Sequence, residues 1–359
     1  MHLLNGLLAA GFGCQLAGCA PATPLGASPF PIASAQAPPS MPQSSLAVEM
    51  IRDIAVPRRG GALKADIVFP TTGGPYPVII FSHGSGGTPY VYRELTSHWA
   101  AAGFVVIAPM HADSRRLLRD QGLQGRDLVV TLLRSATDPA AWQRRVGDVT
   151  AILDLLPRLA SVDPRLARRA DPQRVGVGGH SYGAFTAMLT ACARPRTPSG
   201  AVVDLRDPRP DAFLLLSAQG AGQQGLEPAS WSTCERPMMV VSGTEDRGRP
   251  LGDRPAQTWR EKLEPFRSSP PGGKVGWVLQ GAAHSSFVAS NRRAAGDLGP
   301  AAERDAVDPA LQDRLFATLA AQTTLWWRAQ LTPDEGARAA VASGVAVRQA
   351  GLTALYKVR

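Results

Sequence analysis

Lysine is scarce in this sequence. Only Lys64, Lys262, Lys274 and Lys357 occur, so the other 34 of the 38 basic residues are arginine. Aromatics are also few, at 6% of the chain, and the densest arginine group (Arg115, Arg116, Arg119 and Arg126) has none interleaved. The net charge of +9 is therefore dispersed, without the basic, aromatic-laced surface that binds nucleic acid, and no nucleic-acid partner is expected. Four cysteines are too few for a disulfide miniprotein, and no C-x-x-C pair supports a zinc finger. No H-E-x-x-H or comparable ligand spacing occurs, so neither a metal nor a cofactor is expected. Beyond the N-terminus no apolar run reaches eighteen residues, the length an internal membrane helix needs.

The N-terminus carries an address. Residues 3–13 are apolar, of signal-peptide length and too short to span a bilayer. They run into Leu16-Ala17-Gly18-Cys19, which resembles the bacterial lipobox, although no Lys or Arg precedes it. The resemblance implies a signal peptide over 1–19, lipidation of Cys19 and membrane attachment through that anchor. The protein is then exported, to the periplasm or the outer membrane, or otherwise secreted. Residues 20–47 hold seven prolines, five serines and no charge, the composition of a disordered tether. The body is expected over 48–359.

Within the body, alternating segments at Val48–Pro57 and Leu63–Pro70 flank Arg58-Arg59-Gly60-Gly61 and predict a hairpin. Apolar runs at Pro77–Ser82, Phe104–Pro109, Arg174–Gly178, Ala212–Ser217, Met238–Ser242 and Val275–Leu279 predict strands, most of them buried on both faces. Helical spacing between them predicts helices at Val91–Ala102, Trp142–Ala160, after Gly183, at Pro255–Phe266, and from Asp308 to about Leu331. Alternation of this kind predicts an α/β fold: a mostly parallel central sheet between helical layers, a three-layer sandwich. Residues 111–141 and 285–308 exceed ordinary connections and are expected to be insertions that shape a substrate site.

Gly179-His180-Ser181-Tyr182-Gly183 is G-x-S-x-G between a strand and a helix, the context of a nucleophile elbow. A serine hydroxyl needs a base. His284 follows the last predicted strand and is the candidate, whereas His180 is locked in the elbow and His111 is expected to line the pocket. The base needs a carboxylate, and Val240–Asp246 ends a strand in two acids. Asp246 is favoured over Glu245, because the shorter side chain is held more firmly. The order Ser181, Asp246, His284 is that of α/β-hydrolases. The loop His83-Gly84-Ser85-Gly86-Gly87 supplies an oxyanion donor, so the expected donors are the backbone N–H groups of Ser85 and Tyr182.

These motifs, Ser82–Gly87, Gly179–Gly183 and Gly243–Asp246, resemble those of the α/β-hydrolase superfamily. They are most similar to its dienelactone hydrolase, chlorophyllase and platelet-activating-factor acetylhydrolase branch. The resemblance implies hydrolysis of small-molecule or lipid-like esters through an acyl-enzyme, with serine as nucleophile where dienelactone hydrolases have cysteine. A lipase, polyester depolymerase or acyltransferase could use the same residues, and a non-catalytic envelope lipoprotein could share the scaffold.

With Cys14 lost in the leader and Cys19 acylated, Cys192 and Cys234 are the remaining free cysteines. Cys192 lies eleven residues past Ser181, roughly 16 Å along a helix. Cys234 precedes the strand that starts near Met238. Both are placed at the sheet end opposite the site, where an exported protein could bond them.

Overall fold

The computed structural model of the protein describes residues 45–248, 256–288 and 307–359. The leader with Cys19, the tether up to residue 44 and most of the 285–308 insertion lie outside the described residues.

Strands β1 (Val48–Arg58) and β2 (Gly61–Pro70) pair antiparallel, with Arg58 opposite Gly61. Gly60, at φ 84°, takes the left-handed position in the two-residue turn. Then follow β3 (Tyr76–Ser82), α1 (Arg93–Ala101) and β4 (Val105–Pro109). The region expected as a long insertion folds into α2 (Arg115–Asp120) and α3 (Gly125–Thr137) and leads into α4 (Pro139–Leu155). Asp138 starts α4 by accepting the Ala140 amide, with Pro139 in the first turn. Next come β5 (Ala170–His180), α5 (Tyr182–Ala191), β6 (Ala212–Leu216) and β7 (Met238–Glu245).

Sequence reading predicts one helix over Pro255–Phe266. The structure has two short ones, α6 (Trp259–Lys262) and α7 (Glu264–Ser268). Thr258 caps the first by accepting the Arg260 amide, and Pro265 has no amide hydrogen with which to continue it. The chain continues through β8 (Lys274–Ala283) and α8 (Pro309–Leu331), which Asp308 caps by accepting the Ala310 and Leu311 amides. Beyond the last predicted helix lie α9 (Glu335–Ser343), α10 (Val345–Gln349) and β9 (Thr353–Val358).

Among the described residues the strands form one sheet in the order β1-β2-β4-β3-β5-β6-β7-β8-β9. The five neighbouring pairs from β4 to β8 are parallel, and the remaining pairs at either edge are antiparallel. The continuous apolar runs explain the layering. Val78 and Ile80 of β3, with Phe213 and Leu215 of β6, pack in one core with α4 and α5. Ile79, Phe81, Leu214 and Leu216 pack in a second core with α1 and α8. The central strands thus have an apolar helical layer on both faces, a burial worth about 1.5–3 kcal/mol per large side chain. This is the three-layer α/β sandwich, with its long loops at the carboxyl ends of the parallel strands.

Candidate active site

Strand β5 ends at His180 and α5 begins at Tyr182, so Ser181 makes the whole reversal. It sits at φ 56°, ψ −121°, backbone space that L residues rarely occupy. Its amide bonds Leu216 O at 2.9 Å, and its carbonyl accepts the Phe185 amide at 3.1 Å. The flanking glycines are steric requirements. A Cβ on Gly183 would collide with the Ser82 carbonyl, and one on Gly179 with the Gly183 backbone.

The register of the last parallel pair brings together the other two candidates. Glu245 of β7 pairs with Ala283 of β8, so the next residues, Asp246 and His284, emerge side by side. His284 Nδ1 lies 3.0 Å from Asp246 Oδ1. Asp246 is fully buried, whereas Glu245 is exposed. The Asp246 carboxylate also accepts Ser242 Oγ–H on Oδ2 at 2.8 Å and Ser217 Oγ–H on Oδ1 at 3.0 Å. Burial alone would raise its pKa, but the Lys262 ammonium, 3.0 Å from Oδ1, and His284 outweigh it and hold the carboxyl far below the usual range.

His180 ties these parts together. Its Nε2 donates to the His284 main-chain oxygen at 3.0 Å. Nδ1 therefore accepts, from the Tyr92 hydroxyl at 2.8 Å, and that hydroxyl accepts the Gly84 amide at 3.3 Å. Burial, with His284 nearby, pushes the His180 pKa well down, so the ring stays neutral.

The glycine loop lies against the serine: a Cβ on Gly84 would sit 3.4 Å from Ser181 Cβ. The Gly84 carbonyl accepts His83 Nδ1–H at 2.7 Å and the Gly87 amide at 3.0 Å. In a trans peptide C=O and N–H point to opposite sides, so the Ser85 N–H is turned away from the buried His83. The Tyr182 amide belongs to the first turn of α5, where amides have no intrahelical acceptor.

His111 does not line a pocket. Its side chain is fully buried, with Nδ1 2.8 Å from Asp148 Oδ2 and Nε2 3.0 Å from Ser82 Oγ. Ser82, His111 and Asp148 thus reproduce a Ser-His-Asp hydrogen-bond chain, but all three are sealed from solvent. The His111 amide bonds His83 Nε2 at 3.0 Å, which leaves the His83 proton on Nδ1 to hold Gly84. Arg145 completes this floor: it donates to the His83 carbonyl at 2.9 Å, to Asp113 and to Thr186 at 3.0 Å each, and lies over the Tyr182 ring. Sequence reading places His111 at the sheet edge, as the structure does, but has no signal for the helices that close over it.

Cys192 and Cys234 are joined in a disulfide, with Cα atoms 5.0 Å apart. Among the described residues no group of three or more His, Cys, Asp or Glu side chains is arranged to hold a metal.

The Chlorophyllase family matches residues 46–196, which span β1 through α5 and so include the glycine loop and Ser181 but not Asp246 or His284. No curated protein matches the chain. Sheet order, strand–elbow–helix geometry and this match agree: the chain has the α/β-hydrolase fold and is similar over residues 46–196 to the chlorophyllases.

Proposed function

We propose that the protein is a serine ester hydrolase that works through an acyl-enzyme. The observation that carries the reading is the His284–Asp246 pair, set by strand register at the same sheet edge as a serine held in a strained elbow. Ser181 Oγ attacks the ester carbonyl carbon while His284 Nε2 takes its proton. Asp246 fixes the imidazole with its proton on Nδ1. The negative charge on the carbonyl oxygen is met by the Ser85 and Tyr182 amides and by the N-terminus of α5. Collapse of the tetrahedral species expels the alcohol, which leaves with the proton from His284. Water then repeats the sequence on the acyl-enzyme, releasing the acid and freeing Ser181.

The test is a p-nitrophenyl ester series from acetate to palmitate, run beside a fluorophosphonate probe. The wild type should label and turn over esters, with a chain-length optimum that bounds the acyl site. Ser181→Ala should lose labelling and several orders of magnitude in rate, because such residues act as a unit. Full labelling of the Ala variant would end the reading.

The lipobox-like Cys19 supports a second part of the proposal, an exported enzyme anchored by lipid. Cys19→Ser should move it from the membrane to the soluble fraction. Unchanged fractionation would contradict the anchor.

A further inference from the structure

The scarcest basic residue supplies a charge at the site. Lys262, the last residue of α6, is 4% exposed. Its Nζ is 2.7 Å from Ser217 Oγ and 3.0 Å from Asp246 Oδ1. Asp246 Oδ1 is also the oxygen that faces His284 Nδ1, and Ser217 Oγ lies 2.8 Å from that nitrogen. Ammonium, hydroxyl and imidazole therefore converge on one carboxylate oxygen. Ser217 holds a left-handed backbone, φ 52°, where its hydroxyl reaches that oxygen, a conformation that persists only where its surroundings enforce it.

Burying an ion pair brings little stability of its own, so structure alone is a weak reason for Lys262. Its effect on charge is larger. Without it, Asp246 would leave the buried pair at −1 at rest and at zero once His284 holds the proton. With it, the pair is neutral at rest and carries +1 when Ser181 attacks and an oxyanion forms. A compact ammonium suits a single carboxylate oxygen, where an arginine fork would take both.

We propose that Lys262 is a positioning residue of the Ser181 site: it holds Asp246 and Ser217 for His284 and neutralises the carboxylate, so that the proton-loaded site faces the oxyanion with net positive charge. This rests on the ester-hydrolase reading. Among the described residues, the charged and titratable groups in contact with His284 are Asp246, Lys262 through the shared Ser217 and carboxylate, and His180, whose ring centroid is 4.8 Å away. His180 is neutral. From α8, uncharged Gln312 faces the same segment, bonding Ser286 O at 3.1 Å.

Removing the cation lets Asp246 hold the proton on His284 more strongly. In Lys262→Met the acidic limb of kcat/KM for p-nitrophenyl acetate should therefore move to higher pH by about one unit. On the plateau kcat should fall about tenfold, with KM little changed, as when an interaction made in the transition state is removed. Lys262→Gln keeps an uncharged donor, one bond shorter, so it should fold where Met fails and still show the shifted limb. Lys262→Arg should return the limb toward wild type. A limb that stays at the wild-type pH in Lys262→Gln, whatever the loss of thermal stability, would overturn the proposal and leave Lys262 a structural residue. A wild type that turns over no ester would instead sink the hydrolase reading itself.

Discussion

His180 donates from Nε2 to the main-chain oxygen of His284, 3.0 Å away. The residue beside the elbow serine thus holds the segment that carries the candidate base. Through Tyr92 it also reaches the Gly84 amide of the glycine loop. Three sequence-distant motifs are braced by one neutral imidazole and one phenol, both buried.

Tyr92→Phe tests that brace. It removes a hydroxyl and leaves His180 Nδ1 and the Gly84 amide without it. Such losses cost about 1–3 kcal/mol when the orphaned groups are buried. We expect a lower denaturant midpoint and a kcat for p-nitrophenyl acetate reduced about tenfold, since the loop and the base are both slackened. A variant with wild-type kcat would mean that the serine and base are positioned without the brace.

Asp246→Asn and Glu245→Gln separate two neighbouring acids. Asp246 is buried against Lys262 and His284, while Glu245 is exposed. The Asn variant loses the carboxylate that orients the imidazole, for which about 10⁴ in kcat is a reasonable scale. It also strands a buried ammonium, at a cost of about 3–5 kcal/mol. Glu245→Gln should change rate less than twofold. The opposite ranking in the same ester assay would move the acid to Glu245.

Much of this was legible in the sequence, for identifiable reasons. Uninterrupted apolar runs such as Val78–Phe81 mark strands covered on both faces, and both cores prove to be there. The elbow is legible because close backbone approach admits only glycine at 179 and 183. The C-terminal strand is different: Thr353–Val358 is half exposed at the sheet edge, so its apolar content is too weak to announce it. Lys262 sits in Trp-Arg-Glu-Lys, which reads as a solvated helical turn; its burial comes from α6 packing on β7, a tertiary fact. His111 has the position expected at the end of its strand, but its burial under α4 depends on Arg58 and Asp148 meeting from distant segments.

The Cys192–Cys234 bond closes a separation of 42 residues. In the chain-entropy model this is worth about 4 kcal/mol. Reduction, or the Cys192→Ala/Cys234→Ala pair, should lower the melting temperature by about 6 °C for a body of this size. Ester turnover at 25 °C should be retained, because the bond lies past the far end of α5 from Ser181. Thiol titration of unfolded, unreduced protein checks the bond directly. Two free thiols per chain in protein recovered from an oxidising compartment would remove it.

Acid should destabilise the fold as pH falls through the ordinary imidazole range. Burial, reinforced by Arg145 and His111, lowers His83 to about 3, and burial holds His111 and His180 well below the ordinary imidazole value. These rings are neutral when folded and bind protons once unfolded. Their contribution is therefore fully present above the unfolded imidazole pKa of about 6.5 and is lost as pH falls below it. For His83 alone the loss between pH 7 and pH 5 is about 2 kcal/mol, and the other two rings add losses of the same sign. Asp148 opposes them: burial raises it to about 6 despite Arg58, so the folded state takes up a proton first and gains about 1 kcal/mol over the same interval. The histidines win by number. Urea midpoints should fall steadily from pH 7 to pH 5, and His83→Gln, if it folds, should flatten the slope by the share of one ring. Equal midpoints at pH 7 and pH 5 would mean that these imidazoles are protonated inside the folded protein, and that the tautomers holding Gly84 and His284 in place are wrong.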